Sequence, residues 1–311
     1  MAANRTIQAD VALNRAPLAT LEDEPRARPG VAARVLRFAT HRPLGAISVL
    51  IVLTLVLTAI FAPLLAPYDP VQSHPRLKLL APGEHGFTLG TDEFGRDVLS
   101  RIVYGARPSL TAGILATVLG TLVGAAIGLV SGYVGGAADM VIQRAMDAIM
   151  AIPGLILLLA VVTILGRPSL LNIIWALCIF IVPSSSRVVR GTVLMVKEQQ
   201  FVEGARAVGA GWLRILRSHI LPNVTAPIII IASVTIGNAI LIEASLSFLG
   251  LGVPAPNPTW GNMLAAGGRR WFEQQPTLAL IPGAAITLTV LAFNLLGDAL
   301  RDQFDPRLRG T

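Results

Sequence analysis

The chain lacks most of what a soluble catalyst is built from. It has one cysteine, Cys178, so it can form no internal disulfide. Its four histidines (His41, His74, His85, His219) show no metal-ligand spacing among themselves or with that cysteine, and no HExxH is present. A GxxxxGK[ST] loop is also missing, which excludes nucleotide hydrolysis by this chain in the P-loop manner. The one histidine within an apolar run, His219, stands at its very edge, and paired aspartates are absent from these runs, so the constellation of an intramembrane protease is not available. Charged residues are scarce at 14%, and aromatics are scarcer at 5%.

What is abundant is apolar sequence: 53% of residues are hydrophobic and the mean hydropathy is +0.67, values that belong to a membrane protein. A helical span needs about 20 apolar residues. Uncharged runs of at least 19 residues occur at 43–68 (PLGAISVLIVLTLVLTAIFAPLLAPY), 108–138, 148–166, 168–186, 218–242 and 274–297. They are continuous rather than alternating, which predicts six helices and not barrel strands. A further uncharged run, 244–268, turns into VPAPNPTWGN and reads as the end of the fifth helix plus a loop. Gly120, Gly124 and Gly128, at four-residue spacing, predict a close helix contact. Cys178, inside the fourth run, reads as a small packing residue.

Lys and Arg counts set the expected orientation. Seventeen of the 25 fall on the side that holds residues 1–42, Arg144, the group from Arg187 to Arg217, and the tail 301–311. Both termini are therefore expected in the cytoplasm. The opposite side holds the loop 69–107, where basic residues are balanced by acidic ones, and the loop 251–277. The first 42 residues are too long for the charged region of a signal peptide, and the run after them is about twice a signal core, so a retained anchor is expected. The net charge of +7 follows from loop topology. Its basic residues carry no interleaved aromatics, so nucleic acid is not an expected partner.

Three polar features stand out. Ser184, Ser185 and Ser186 read as hydrogen-bonding groups at a helix end. Glu243, in IGNAILIEASLSFLG, is the one ionisable residue within apolar sequence and hence a candidate for the translocation path or a gate. The stretch HGFTLGTDEFGRDVLSRIVYGARPSL (85–110) predicts an amphipathic helix lying on the outer membrane surface. Thr91 would cap it, with Asp92 and Glu93 in its first turn and an Asp97–Arg101 pair on its polar face. Asp92, Arg96 and Asp97 are the candidate contacts for an external partner.

The segment EGARAVGAGWLRILRSHILP (203–222) resembles the "EAA" cytoplasmic loop of binding-protein-dependent ABC importer permeases. Glu203, Ala205, Gly209, Leu221 and Pro222 stand in register, while Gly204 replaces an alanine and His219 a hydrophobic residue. LGTDEFGRDVLSRIVYGARPSL, EASLSFLGLGVPAPNPTWGNML and the closing DPRLRG resemble the dipeptide, oligopeptide and nickel branch, specifically its second, dipeptide permease C-like subunit. The resemblance implies an all-α integral membrane protein of the bacterial inner membrane with six transmembrane helices and the type I, MetI-like permease fold. It further implies a second, homologous permease subunit forming a heterodimer, two cytoplasmic P-loop ATPases that carry ATP and Mg²⁺, and an extracytoplasmic substrate-binding protein. No cofactor is implied in this chain.

On this resemblance the coupling loop is 197–222, and Glu203, Gly204, Ala205, Arg206, Gly209, Leu221 and Pro222 are its ATPase-coupling residues. The residues themselves predict a short helix from Glu203, a break at Gly209, and a second helix ending at proline, with Trp212, Leu213, Leu216 and Ile220 on one apolar face. Two alternatives stay open: the same architecture importing nickel or another small solute, and a stand-alone secondary transporter.

Overall fold

A computed structural model describes Thr40 and residues 43–304. The rest of the expected N-terminal tail and the closing DPRLRG lie outside the described residues. The elements below all belong to the compact unit that starts at Arg42. Among the described residues all regular structure is helical, and the helices of eight residues or more are α1 (Pro43–Ile60), α2 (Val98–Val134), α3 (Gly136–Met150), α4 (Gly154–Ile164), α5 (Leu170–Lys197), α6 (Gln200–Ala207), α7 (Trp212–Phe248) and α8 (Thr277–Phe304). Five of these are long and apolar enough to cross a membrane: α1, α2, α5, α7 and α8. A sixth span results if α3 and α4, which meet at 92°, are taken together.

That bend corrects the expected third span at 148–166. α4 has 11 residues, roughly 16 Å of helix, against a hydrocarbon core of about 30 Å. Pro153, which has no N–H to continue the ladder from α3, stands at the corner as the N-cap of α4.

α2 differs from expectation in the other direction. Asp97 caps it, with Oδ2 accepting from the Ser100 amide at 2.8 Å and the Ser100 hydroxyl at 2.6 Å, and the helix then runs unbroken for 37 residues through Pro108. The amphipathic stretch is thus the first turns of a span and not a separate surface helix. Thr91 caps nothing. It is buried, and its hydroxyl donates to the Leu77 carbonyl and accepts from the Leu80 amide. The reason lies at Gly95, whose φ of +76° turns the chain just ahead of Asp97, so no helix can start at residue 91. A Cβ at Gly95 would collide with the His74 carbonyl.

α2 and α5 pack along the glycine row. A Cβ on Gly120 would lie 2.9 Å from Ile181 Cβ and one on Gly124 2.6 Å from the Val182 carbonyl, while Gly128 faces the Ser186 carbonyl and Gly132 faces Val193. Ser185 and Ser186 are fully buried in the middle of α5, opposite these glycines. They are small residues at a close helix contact rather than groups at a helix end. Ala112, Ala116, Leu158, Ile173, Leu177, Ile181 and Leu246 join α2, α4, α5 and α7 in one core, and Cys178 is buried nearby. Lipid is as apolar as these side chains, so close packing rather than removal from water holds this contact.

Candidate functional site

The segment in register with the coupling pattern lies where α5 ends. α6 is a short helix closed by Gly209 at φ +81°: the Gly209 amide reaches the Arg206 carbonyl at 2.9 Å and the Ala210 amide reaches Ala205 at 3.0 Å. These paired bonds form a Schellman motif, whose left-handed residue favours glycine. Gly211 is extended, and α7 starts at Trp212. Glu203, Gly204, Arg206, Gly209, Leu221 and Pro222 are exposed, and Ala205 is half-buried.

Two expectations about the second half of the segment are corrected. The helix does not end at Pro222. It continues to Phe248, because residues 216–220 form a π turn directly ahead of the proline, where a wider ladder absorbs the missing N–H. The same turn shifts the helical phase, so the inward side chains are Ile215 and Ile220, not Trp212 and Leu213. Val202, Ile215, Ile220 and Val224 pack with Ala125, Val189 and Val193 at the adjoining ends of α2 and α5. Left outside are Phe201, Val208, Trp212 and Leu213, with Val208 84% and Trp212 63% exposed. His219, at the position usually hydrophobic, stacks on Phe201 across the bend, with ring centroids 6.4 Å apart.

Beside this segment is a polar cluster that sequence reading missed. Arg190 donates from Nε to Asp139 Oδ1 and from Nη2 to Oδ2, both at 2.6 Å. The Ser131 hydroxyl donates to the same carboxylate, Gln143 Nε2 donates to Ser131 Oγ at 2.9 Å, and Lys197 Nζ donates to the Gly132 carbonyl at 3.1 Å. Arg190 lies 51 positions from Asp139 and Lys197 65 from Gly132, and no spacing rule connects them.

At the other end of the bundle, the loop ahead of α2 folds around Asp92. Its Oδ1 accepts from the Phe94 and Arg96 amides at 2.9 Å each, and its Oδ2 meets Arg96 Nε at 2.7 Å and Arg101 Nε at 3.4 Å. Arg101 also donates to the Pro70 carbonyl at 2.9 Å and the Pro256 carbonyl at 3.3 Å, so its expected pairing with Asp97 is replaced by a link between two loops. Trp260 adds a bond from Nε1 to the Ile102 carbonyl at 3.0 Å, and Gln275 one to the Leu80 carbonyl. Asp92, Arg96 and Asp97, the candidate partner contacts, are all buried and turned into the loop they build. The exposed side chain at its tip is Phe94, under the Arg96 guanidinium at 4.5 Å from its ring centre. Burial raises the Glu93 carboxyl above its ordinary value of 4.5.

Glu243 lies within α7. It is fully buried, with Oε1 accepting from the Ser247 hydroxyl at 2.7 Å.

A family model described as "Binding-protein-dependent transport system inner membrane component" matches residues 120–310, more than half of the chain. The chain belongs to this family. Residues 33–82 match a second model, the "N-terminal TM domain of oligopeptide transport permease C". Among curated relatives, the dipeptide transport system permease protein DppC of Alkalihalophilus pseudofirmus is 44% identical over 86% of this chain and 86% of its own length. The glutathione transport system permease protein GsiD of Shigella flexneri is 46% identical over 84% of this chain and 86% of its own. A di/tripeptide permease, DppC of Pseudomonas aeruginosa, is 42% identical over 84% and 87%. A solved structure of the MetNI methionine ABC transporter in an inward-facing conformation matches with a TM-score of 0.55 at 18% identity, covering 65% of this chain and 95% of the matched one, and so shares the MetI-like fold. Family membership makes the protein a multi-pass inner-membrane permease subunit of an ABC importer, a part that works with a partner permease, an ATPase and a substrate-binding protein. The secondary-transporter alternative is thereby set aside.

Proposed function

We propose that this chain is one permease subunit of an importer for di- or oligopeptides, in which residues 197–222 take up force from a cytoplasmic ATPase. The observation that carries the reading is the surface of α6 and the start of α7. Phe201, Val208, Trp212 and Leu213 are exposed beside charged Glu203 and Arg206 on a short helix closed by Gly209, and the inner face of this segment is fixed to the bundle. An apolar, aromatic patch of this kind outside a bilayer fits a protein partner. The peptide substrate is favoured by the relatives, whose names specify dipeptides, di/tripeptides and glutathione. Both termini and the segment face the cytoplasm, as the Lys and Arg distribution supports. The working assembly pairs this chain with a second, homologous permease, two ATPases that hold ATP and Mg²⁺, and a binding protein at the opposite face. Nucleotide chemistry belongs to the ATPases.

Alternating access then follows from two discrete arrangements of packed helices that ATPase closure selects between. The test is the complete importer in proteoliposomes with Gly209→Pro. The substitution is incompatible with φ +81°, and peptide uptake should fall while ATP hydrolysis loses its dependence on loaded binding protein. Normal uptake with normally stimulated hydrolysis would sink the reading. Uptake of labelled di- and tripeptides, with Ni²⁺ as competitor, identifies the substrate class.

A further inference from the structure

α5 runs directly into the coupling segment, with only Glu198 and Gln199 between Lys197 and α6. A push on that segment can move the bundle only if the end of α5 does not bend away first. Three features bear on this point. The glycine row brings α2 and α5 into backbone contact as far as Gly132 and Val193. Val202, Ile215 and Ile220 of the coupling segment pack on the ends of the same two helices. Between these contacts the Asp139 carboxylate receives both donors of Arg190 and the Ser131 hydroxyl, joining α2, α3 and α5, while Lys197, the last residue of α5, holds the Gly132 carbonyl of α2.

We propose that Asp139 and Arg190 are positioning residues for coupling: their bidentate pair, with Ser131 and Lys197, clamps the end of α5 to α2 and α3 so that the coupling segment, α2 and α5 move as one body. This rests on the reading of residues 197–222 as the ATPase contact. The pair is not what brings α2 and α5 together. Asp139 is buried and the Arg190 side chain is 31% exposed, but α2 and α5 are joined along four glycines without the pair. What the bidentate geometry adds is direction, since two parallel bonds fix the guanidinium plane against the carboxylate. The other end of α2 carries the Asp97 cap and Arg101, so the body held by the clamp reaches from the coupling segment to the loop around Asp92.

The experiment uses the complete importer, purified with its partner chains and placed in proteoliposomes, with a labelled di- or tripeptide that the wild type imports. It measures ATP hydrolysed per peptide taken up. Asp139→Asn and Arg190→Gln complexes should assemble in normal yield and hydrolyse ATP. Their ATP use per peptide should rise about fivefold or more, the lower end of ordinary coupling factors. The reversed pair, Asp139→Arg with Arg190→Asp, should bring the ratio back toward wild type, because the Ser131 hydroxyl accepts from an arginine as readily as it donates to an aspartate. An unchanged ratio in both single variants overturns the proposal. So does a parallel loss of yield, hydrolysis and uptake that the reversed pair fails to restore, which would make the pair part of the fold. Gly209→Pro, measured alongside, separates the two ideas. If it raises the ratio and the single variants do not, only the clamp fails. If it too leaves the ratio normal, the reading of the segment fails with it.

Discussion

Among the described residues Asp92 is the one carboxylate that touches both buried arginines at the loop end, and its replacement is the most telling single change there. Asp92→Ala would leave Arg96 and Arg101 buried without it, and breaking a buried ion pair costs about 3–5 kcal/mol. The thermal midpoint of the detergent-purified protein should fall by several degrees. Phe94→Ala, at an exposed tip, should change it little, within about 0.5 kcal/mol. Equal effects of the two would contradict the burial described. Glu93 gives the same loop a pH dependence. Burial raises its carboxyl above 4.5, so the folded chain binds that proton more tightly than the unfolded one, and its contribution to stability is lost as pH rises from 4.5 through the raised value. Relative to Glu93→Gln, the wild-type midpoint should therefore decline between pH 4.5 and neutrality and run parallel below it; a rising difference would refute the sign.

The short helix α6 carries Gly204 where the loop pattern it resembles has alanine. Gly204 stands in its interior with no atom within 4 Å of where a Cβ would sit, so an alanine fits. Gly204→Ala should stabilise α6 by about 0.5–1 kcal/mol through lost backbone freedom in the unfolded state. Hydrogen exchange at residues 204–208 should slow, with peptide uptake retained; unaltered exchange would show that α6 is ordered by its contacts alone. The glycines of α2 behave differently. There the partner backbone already occupies the space a side chain would need, so the same residue type that is replaceable in α6 is required in α2. Spacing distinguished these two uses of glycine, since only the α2 row repeats every fourth residue.

For the molecule as a whole, the direction of insertion is the next measurable property. Cys178 is the sole cysteine and is buried, which leaves a clean background for labelling. In the chain expressed without its ATPases, a Val208→Cys variant should react with an impermeant maleimide only when the cytoplasmic face is open, and a His85→Cys variant from the opposite face of intact cells. The reverse pattern would invert the topology. Most of the helices were legible in the sequence, because a bilayer demands about 20 apolar residues per span and a backbone bonded within itself. The Gly120–Gly124–Gly128 contact and the bend at Gly209 were legible for the same local reason: each depends on one residue type at a fixed spacing or conformation.

Legibility ended where residues distant in the chain meet. Asp92 with Arg101 and Pro256, Asp139 with Arg190, and Lys197 with Gly132 are brought together only by packing of α2 against α5 and by the two loops closing on each other. The start of α2 was misjudged because the turn at Gly95, and not the polar residues after Thr91, sets it. The burial of Glu243 was not legible either, because a polar residue in an apolar run shows depth but not facing, and facing is decided by neighbouring helices. By itself, then, the sequence determined the solvent, the span count to within one bent pair, and the break at Gly209, all of which follow from local composition and period. Tertiary structure alone decided which polar groups are buried, which helices share one rigid contact, and which side chains of the segment remain outside, because each of these depends on what lies across the interface.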